Sequence, residues 1–223
     1  MSNWLSPSQL AAMKLNGGRH WPEVVASPCT RAASTYPSAY GRIVSTPLVA
    51  GYNQSIGDCF PTGCTNAVQT LLGRAGNYTP ISDDVAVQAY EGMTNYIPSD
   101  PATDQGTDPT QGFTWWASNP IAGYKLQSIN SISPVSEGEI RSTIAMIGGV
   151  LLCVELSVAN QNQRVWMPDG QAGSWGGHAI WCDQYDGDVY RVTSWGDSFY
   201  ISRDFFDTSG FVIGVWGLNL IAA

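Results

Sequence analysis

The sequence predicts an α+β protein in which helices come first and a mostly antiparallel β-sheet follows. In the first half, apolar residues recur at helical spacing in the segments 59–72 and 82–90. In the second half, short apolar or alternating runs are separated by turn residues, which is typical of strands. Two of these runs flank Asp186-Gly187-Asp188, a strong β-hairpin signal.

The composition is that of an ordinary folded protein. The chain has 223 residues, of which 43% are hydrophobic and 13% charged, enough for one domain or two small lobes. Its net charge of −8 argues against nucleic acid or an anionic membrane as a partner, because both require a basic surface. No apolar run approaches the roughly 20 residues of a membrane span, and residues 1–18 lack the pattern of a secretory signal.

The cysteines and histidines do not predict a metal site. The five cysteines are an odd number without metal-ligand spacing, at positions 29, 59, 64, 153 and 182. The two histidines, His20 and His178, leave little for zinc, so we expect no metal and no other cofactor. We expect a largely reduced chain, and a disulfide between Cys59 and Cys64 stays open as an alternative.

Residues 1–50 are predicted to form a polar arm that wraps the core. It contains one short helix candidate, 9–15, which begins after Ser6-Pro7-Ser8 and ends at Asn16-Gly17-Gly18. His20 has no acidic or cysteine partner nearby in the sequence, so we interpret it as a packing or surface residue.

The helical segment that begins near Cys59 carries the first chemical signal. A polar, turn-rich lead-in at 53–58 places this thiol at a helix start. Unpaired N–H groups and the positive end of the helix dipole favour a thiolate there, which would make Cys59 nucleophilic. The alternative is a buried or loop cysteine without a chemical role.

Two further helices are predicted before the strands. Ser82 is the expected N-cap of the segment 82–90. A long ordered loop at 96–112 follows, rich in Pro, Asp, Thr and Gly. The aromatic segment 112–118 then predicts a helix packed on the first one.

A capped helix and five strands are predicted for the second half. The helix begins at Ser136 and ends at Gly148-Gly149. The strands are expected at 150–156, with Cys153 in the core, and at 179–184, 189–194, 198–202 and 211–220.

The hairpin predicts a second chemical centre. Paired glycines lead into His178 at the start of a strand, and the returning strand should bring 193–195 beside it. An imidazole next to a group that orients its ring is what a general base for a thiol requires. The alternative is a structural histidine in a strand.

The order of these motifs resembles that of the papain-like cysteine peptidases. The resemblance spans 53–200 and rests on the helix-start cysteine, the Gly-Gly-His-Ala strand and the Ser-Trp-Gly turn. It implies that Cys59 is the nucleophile, His178 the base and Gln54 the oxyanion donor, with Trp195 shielding the histidine.

Three positions depart from the family pattern, the first of which is Phe60, since the family has Trp directly after the nucleophile. The family's orienting Asn falls on Thr193, whose hydroxyl is a weaker orienting group. Gln54 lies five residues before Cys59, whereas Asn53 occupies the usual sixth position, so either amide is a candidate. Cys64 is a second candidate nucleophile, and we identify no segment long enough for the family's inhibitory propeptide.

The resemblance implies a thiol hydrolase that cleaves a peptide or isopeptide bond in a peptide or protein substrate. We expect an arm at 1–50 and a papain-like domain at 51–223, with a helical lobe at about 51–133 and a β lobe at about 134–223. More narrowly, Gly57-Asp58-Cys59 and the Gly-Gly-His-Ala motif resemble papain-like proteins of bacteriophages and prophages. This implies an alternative, a weak or inactive module that serves as a virion or binding protein. Because the sequence shows no signal peptide and no transmembrane segment, we expect a cytoplasmic or virion-associated location.

Overall fold

The computed structural model describes residues 37–41, 48–77 and 79–223. Most of the predicted arm, including the helix candidate at 9–15, His20 and Cys29, lies outside the described residues. The predicted division into an arm and a two-lobed domain stays a prediction.

The first half of the described chain is helical, as predicted. After a two-residue strand β1 (Ala39–Tyr40), it contains α1 (Cys59–Arg74), α2 (Asp83–Thr94), a 3-10 turn (Pro101–Thr103) and α3 (Pro109–Ser118). The Ser82 hydroxyl caps α2 by accepting from the Asp84 N–H at 3.3 Å. The predicted long loop is shorter than expected, because Asp108 caps α3 and Pro109 opens it.

The second half is built around an eight-stranded sheet. Its elements are β2 (Tyr124–Ser131), α4 (Glu137–Ile147), β3 (Val150–Leu156), a 3-10 turn (Val158–Asn162), β4 (Val165–Trp166), β5 (Gly176–Asp186), β6 (Val189–Ser194), β7 (Asp197–Ser202), α5 (Asp204–Asp207) and β8 (Val212–Ala222). The strand order is β2-β8-β3-β5-β6-β7-β4, and β1 pairs with the end of β5. Only the short β4–β7 pair is parallel among the described strands.

Local sequence signals account for most of these boundaries. Ser136 caps α4, and Gly148 ends it in a left-handed conformation with φ of 104°. The Asp186–Val189 turn joins β5 to β6 in antiparallel register. Strand β2 was not predicted, and it forms by pairing with β8 at the far end of the chain.

The sheet separates two hydrophobic cores. Leu151 and Trp181 belong to the core shared with α1 and α3, whereas Leu152 and Ile180 belong to the core on the opposite face. Because consecutive strand residues point to opposite faces, β5 delivers alternate side chains to the two cores. The face of the sheet that a β5 side chain reaches therefore depends on whether its position along the strand is odd or even.

Within the described ranges, no helix is long and apolar enough to cross a membrane. Four described cysteines are free thiols, namely Cys59, Cys64, Cys153 and Cys182. The open alternative of a Cys59–Cys64 disulfide is thereby not realised in this structure.

Candidate active site

Cys59 is the first residue of the helix α1. Asp58 is its N-cap, and Pro61 is accommodated in the first turn, where backbone N–H groups have no intrahelical acceptor. The Cys59 side chain is partly exposed and packs against the core that contains Ala179 and Cys153. The thiol thus lies where α1 meets strands β3 and β5.

The segment before Cys59 is held by two polar side chains. The buried Asn66 amide accepts from the Val49 N–H at 2.9 Å and donates to the Val49 carbonyl at 2.8 Å. Asp83 accepts from the Ala50 and Gly51 N–H groups at 2.8 and 3.1 Å. Side chains of α1 and α2 therefore fix the backbone that leads into the site.

Two buried carboxylates hold the same loop closer to the thiol. Asp58 Oδ2 accepts from the Tyr52 N–H at 2.9 Å. Asp104 Oδ1 accepts from the Gly57 N–H at 2.9 Å and from the Tyr90 hydroxyl at 2.6 Å. Both carboxylates are at most 6% exposed.

The two candidate oxyanion donors differ in position. Asn53 is half-buried, and its Nδ2 donates to the Ala50 carbonyl at 2.9 Å, which leaves its second amide hydrogen for another acceptor. The Gln54 side chain is exposed. The anchored amide is therefore Asn53, six residues before the thiol.

The backbone N–H of Ala179, the residue after His178, lies near enough to the Cys59 sulfur to favour its thiolate form. Burial raises the pKa of the Cys59 thiol to about 12, and the negative charge of Asp58 adds to this effect. The helix start was predicted to favour a thiolate. The structure differs, because desolvation outweighs the hydrogen bonds and leaves a neutral thiol.

His178 is buried and held on two sides. Its Nε2 shares a 2.6 Å hydrogen bond with Ser194 Oγ. The Trp195 ring stacks on the imidazole with a centroid distance of 4.7 Å and an interplanar angle of 12°. Burial lowers the pKa of His178 to about 3, so the imidazole is neutral.

Ser194 occupies the place predicted for Thr193. Thr193 pairs across the hairpin with Trp181, and cross-strand partners point to the same face of a sheet. Since 181 and 178 are three residues apart, Thr193 lies on the face opposite His178, whereas Ser194 lies on the same face. Among the described residues, no group hydrogen-bonds to the Thr193 hydroxyl.

The Trp195-Gly196 turn explains how a tryptophan reaches the imidazole. Both residues are left-handed, with φ of 48° and 71°, as a tight two-residue hairpin turn requires. A Cβ at Gly196 would lie 2.9 Å from the Ala50 Cβ, so glycine lets this turn approach the segment before Cys59. Trp195 is unusual in this conformation, and its ring also stacks on Trp175 at 5.6 Å.

The remaining candidates are less suited to chemistry. Cys64 is fully buried, and burial raises the pKa of its thiol well above the ordinary value. The described part of the chain contains no group of three His, Cys, Asp or Glu side chains placed to bind a metal ion. Of the thiols described, Cys59 alone is partly exposed.

Comparison with known proteins gives structural matches only. No protein-family model and no curated protein matches the sequence. Xylellain, a cysteine protease from Xylella fastidiosa, matches with a TM-score of 0.65 and 13% identity, over 84% of this chain and 88% of that one. Procathepsin L 3 of the Tenebrio molitor larval midgut matches with a TM-score of 0.60 and 13% identity, over 87% and 72%.

The proform of Amb a 11, a cysteine protease and ragweed pollen allergen, matches with a TM-score of 0.66 and 12% identity. This match covers 97% of this chain and 74% of that one. At such identities the likeness concerns the fold, and it confirms the α+β, papain-like class predicted from the sequence.

Proposed function

Because the chain has the papain-like fold, we propose that it is a thiol hydrolase that cleaves a peptide or isopeptide bond through Cys59 and His178. One observation carries the proposal. The partly exposed residue Cys59 begins a helix, and its sulfur lies beside the backbone N–H of Ala179, directly after a histidine that Ser194 and Trp195 hold in place. This arrangement supports the assignment of Cys59 as nucleophile, His178 as base and Ser194 as orienting group.

The first chemical step is attack by the Cys59 sulfur on the carbonyl carbon of the substrate. Because both side chains are neutral at rest, His178 takes the thiol proton as the C–S bond forms. With Nε2–H donated to Ser194 Oγ, Nδ1 is the nitrogen that receives it. The oxyanion is stabilised by the Cys59 N–H and an amide donor, for which the anchored Asn53 is better placed than the exposed Gln54.

The second step breaks the C–N bond. The imidazolium of His178 gives its proton to the leaving amine, and a thioester to Cys59 remains. Water, deprotonated by His178, then attacks the thioester and releases a carboxylic acid and the free thiol. The reaction balances without a cofactor.

The proposal is tested with fluorogenic peptide substrates and with mass spectrometry of the acyl-enzyme. We expect Cys59→Ser and His178→Ala to abolish turnover. We also expect both variants to lack the mass that the acyl group adds to the peptide containing residue 59. Cys64→Ala is the matched control, since Cys64 lies on the same helix but is fully buried.

Three outcomes contradict the proposal. One is turnover that survives in Cys59→Ser, and another is turnover that disappears in Cys64→Ala while that variant stays folded. A wild-type protein without hydrolysis of any peptide or isopeptide library also contradicts it.

The alternative from the sequence is a weak or inactive papain-like module of a bacteriophage particle. None of the three solved structures named above is a virion protein, and the comparisons do not support this alternative. It predicts specific retention on purified phage particles, and this retention would be independent of Cys59.

A further inference from the structure

Asp58 is an unusual neighbour for a nucleophile. Its side chain is 0% exposed, although it directly precedes Cys59. It is the N-cap residue of α1, yet its carboxylate makes no capping hydrogen bond to the helix. Oδ2 accepts instead from the Tyr52 N–H at 2.9 Å, which closes the 52–58 loop against the helix start.

The space around this carboxylate is tightly filled. Gly51 has φ of 60°, and a Cβ there would lie 2.7 Å from Asp58 Oδ2 and overlap the Thr62 hydroxyl. The Thr62 hydroxyl lies close enough to Asp58 to lower its pKa. No described residue donates a well-formed hydrogen bond to the buried Oδ1.

No cation faces this carboxylate among the described residues. The described groups that interact electrostatically with Asp58 are acids, phenols or thiols, namely Asp104, Tyr52, Tyr96 and Cys59. Asp83 binds the adjacent Ala50 and Gly51 amides, and Asp84 accepts from the Tyr52 hydroxyl. Desolvation raises the pKa of Asp58 to about 7, and the charge of Asp104 contributes in the same direction.

We infer that Asp58 is a positioning residue, which in its neutral form ties the 52–58 loop, and with it Asn53, to the start of the helix that carries Cys59. The inference rests on the proposed function, since it concerns the same site. In the neutral state Oδ2 still accepts from Tyr52, and the buried Oδ1, to which no described residue donates, carries no negative charge that would need a donor.

Ionisation of Asp58 has two consequences. A buried anion without a cationic partner is costly, and it is relieved when the loop opens to water. The same negative charge lies beside the Cys59 N–H, where the oxyanion forms, and opposes it. We therefore expect activity to fall as the pH rises through the titration of Asp58.

The first test is the pH dependence of kcat/KM. In the wild type we expect a fall of about tenfold per pH unit above neutrality, carried by kcat with KM nearly constant. Asp58→Asn, which mimics the neutral acid, should remove this fall. Asp84→Asn is the matched control, because Asp84 is exposed and accepts from the Tyr52 hydroxyl instead of from the loop backbone, and it should keep the wild-type profile.

The second test does not need activity. The Tyr52 amide, which Asp58 binds, should lose hydrogen-exchange protection above neutral pH in the wild type and keep it in Asp58→Asn. Asp58→Ala should lack this protection at every pH, while amides in the interior of α1 stay protected as a folding control.

The outcomes separate this inference from the proposed function. A pH-dependent Tyr52 amide in a protein without hydrolase activity supports the positioning role and contradicts the hydrolase. A wild-type profile that Asp58→Asn leaves unchanged, or a Tyr52 amide indifferent to pH and to Asp58→Ala, overturns the inference even if the hydrolase is active.

Discussion

Replacing Ser194 by alanine removes the hydrogen bond that fixes the His178 ring. The bond is 2.6 Å long, and both residues are at most 3% exposed. Leaving a buried polar group without its partner costs about 1–3 kcal/mol, and about 1.4 kcal/mol corresponds to a factor of ten in rate. We therefore expect kcat/KM in Ser194→Ala to fall by roughly 5- to 150-fold, with a loss of folding stability of about 1–3 kcal/mol.

Thr193→Val is the matched control for this experiment. The Thr193 hydroxyl is buried, and no described residue hydrogen-bonds to it, so its removal should leave kcat/KM within about twofold and stability unchanged or improved. Peptide hydrolysis gives the rates, urea unfolding gives the stabilities, and ¹⁵N NMR of the imidazole reports the His178 tautomer. If Thr193→Val loses activity and Ser194→Ala keeps it, the orienting group is the one predicted from the sequence motif, and the parity argument is refuted.

Four further outcomes are expected. Trp195→Ala should cost about 3 kcal/mol of stability and raise the pKa of His178 toward its ordinary value by admitting water, which an NMR titration measures. Gly51→Ala should destabilise the protein by about 3 kcal/mol or more in urea unfolding, because the new Cβ would overlap the Thr62 hydroxyl and the backbone at this position is left-handed. Gly76 is also left-handed but has open space around it, so Gly76→Ala should cost only about 1 kcal/mol. Iodoacetamide should alkylate Cys59 at a rate that still rises above pH 10, since burial raises the pKa of this thiol to about 12; a plateau near pH 5 would instead show a thiolate–imidazolium pair. Burial lowers the pKa of His178 from 6.5 to about 3, so between these pH values the unfolded chain binds a proton that the folded chain does not. The free energy of unfolding should therefore fall by at most about 5 kcal/mol as the pH drops from 6.5 to 3, and His178→Gln should reduce this fall.

The sequence predicted those elements whose signals are local. The Ser136 cap and the Gly148 stop define α4 within the chain segment itself, and the Asp-Gly-Asp turn sets the β5–β6 hairpin. Strand β2 was missed because its order comes from β8, about 90 residues away in the pairing of Ser128 with Asn219, and its own pattern does not alternate strictly.

The candidate site divides in the same way. Cys59 at a helix start and His178 at a strand start were predicted from neighbouring residues, and the structure places them at those positions. The distinction between Thr193 and Ser194 depends on strand register, which is set by pairing. The direction predicted for the Cys59 pKa shift was wrong, because the prediction used the helix dipole alone and the shift follows from three-dimensional burial.

One physical cause acts on Cys59, Asp58 and His178. Desolvation raises the pKa values of Cys59 and Asp58 and lowers that of His178, so each group is pushed toward its neutral form. With these three side chains neutral, none of them competes as an ion with the oxyanion and the imidazolium of the proposed reaction, and the low dielectric strengthens the hydrogen bonds that meet them. If this is correct, water admitted by Trp195→Ala should raise the pKa of His178 and lower that of Cys59 together. Asp58→Asn should lower the pKa of Cys59, because the charge of Asp58 raises it, and should leave the pKa of His178 unchanged, because the shift of His178 comes from burial.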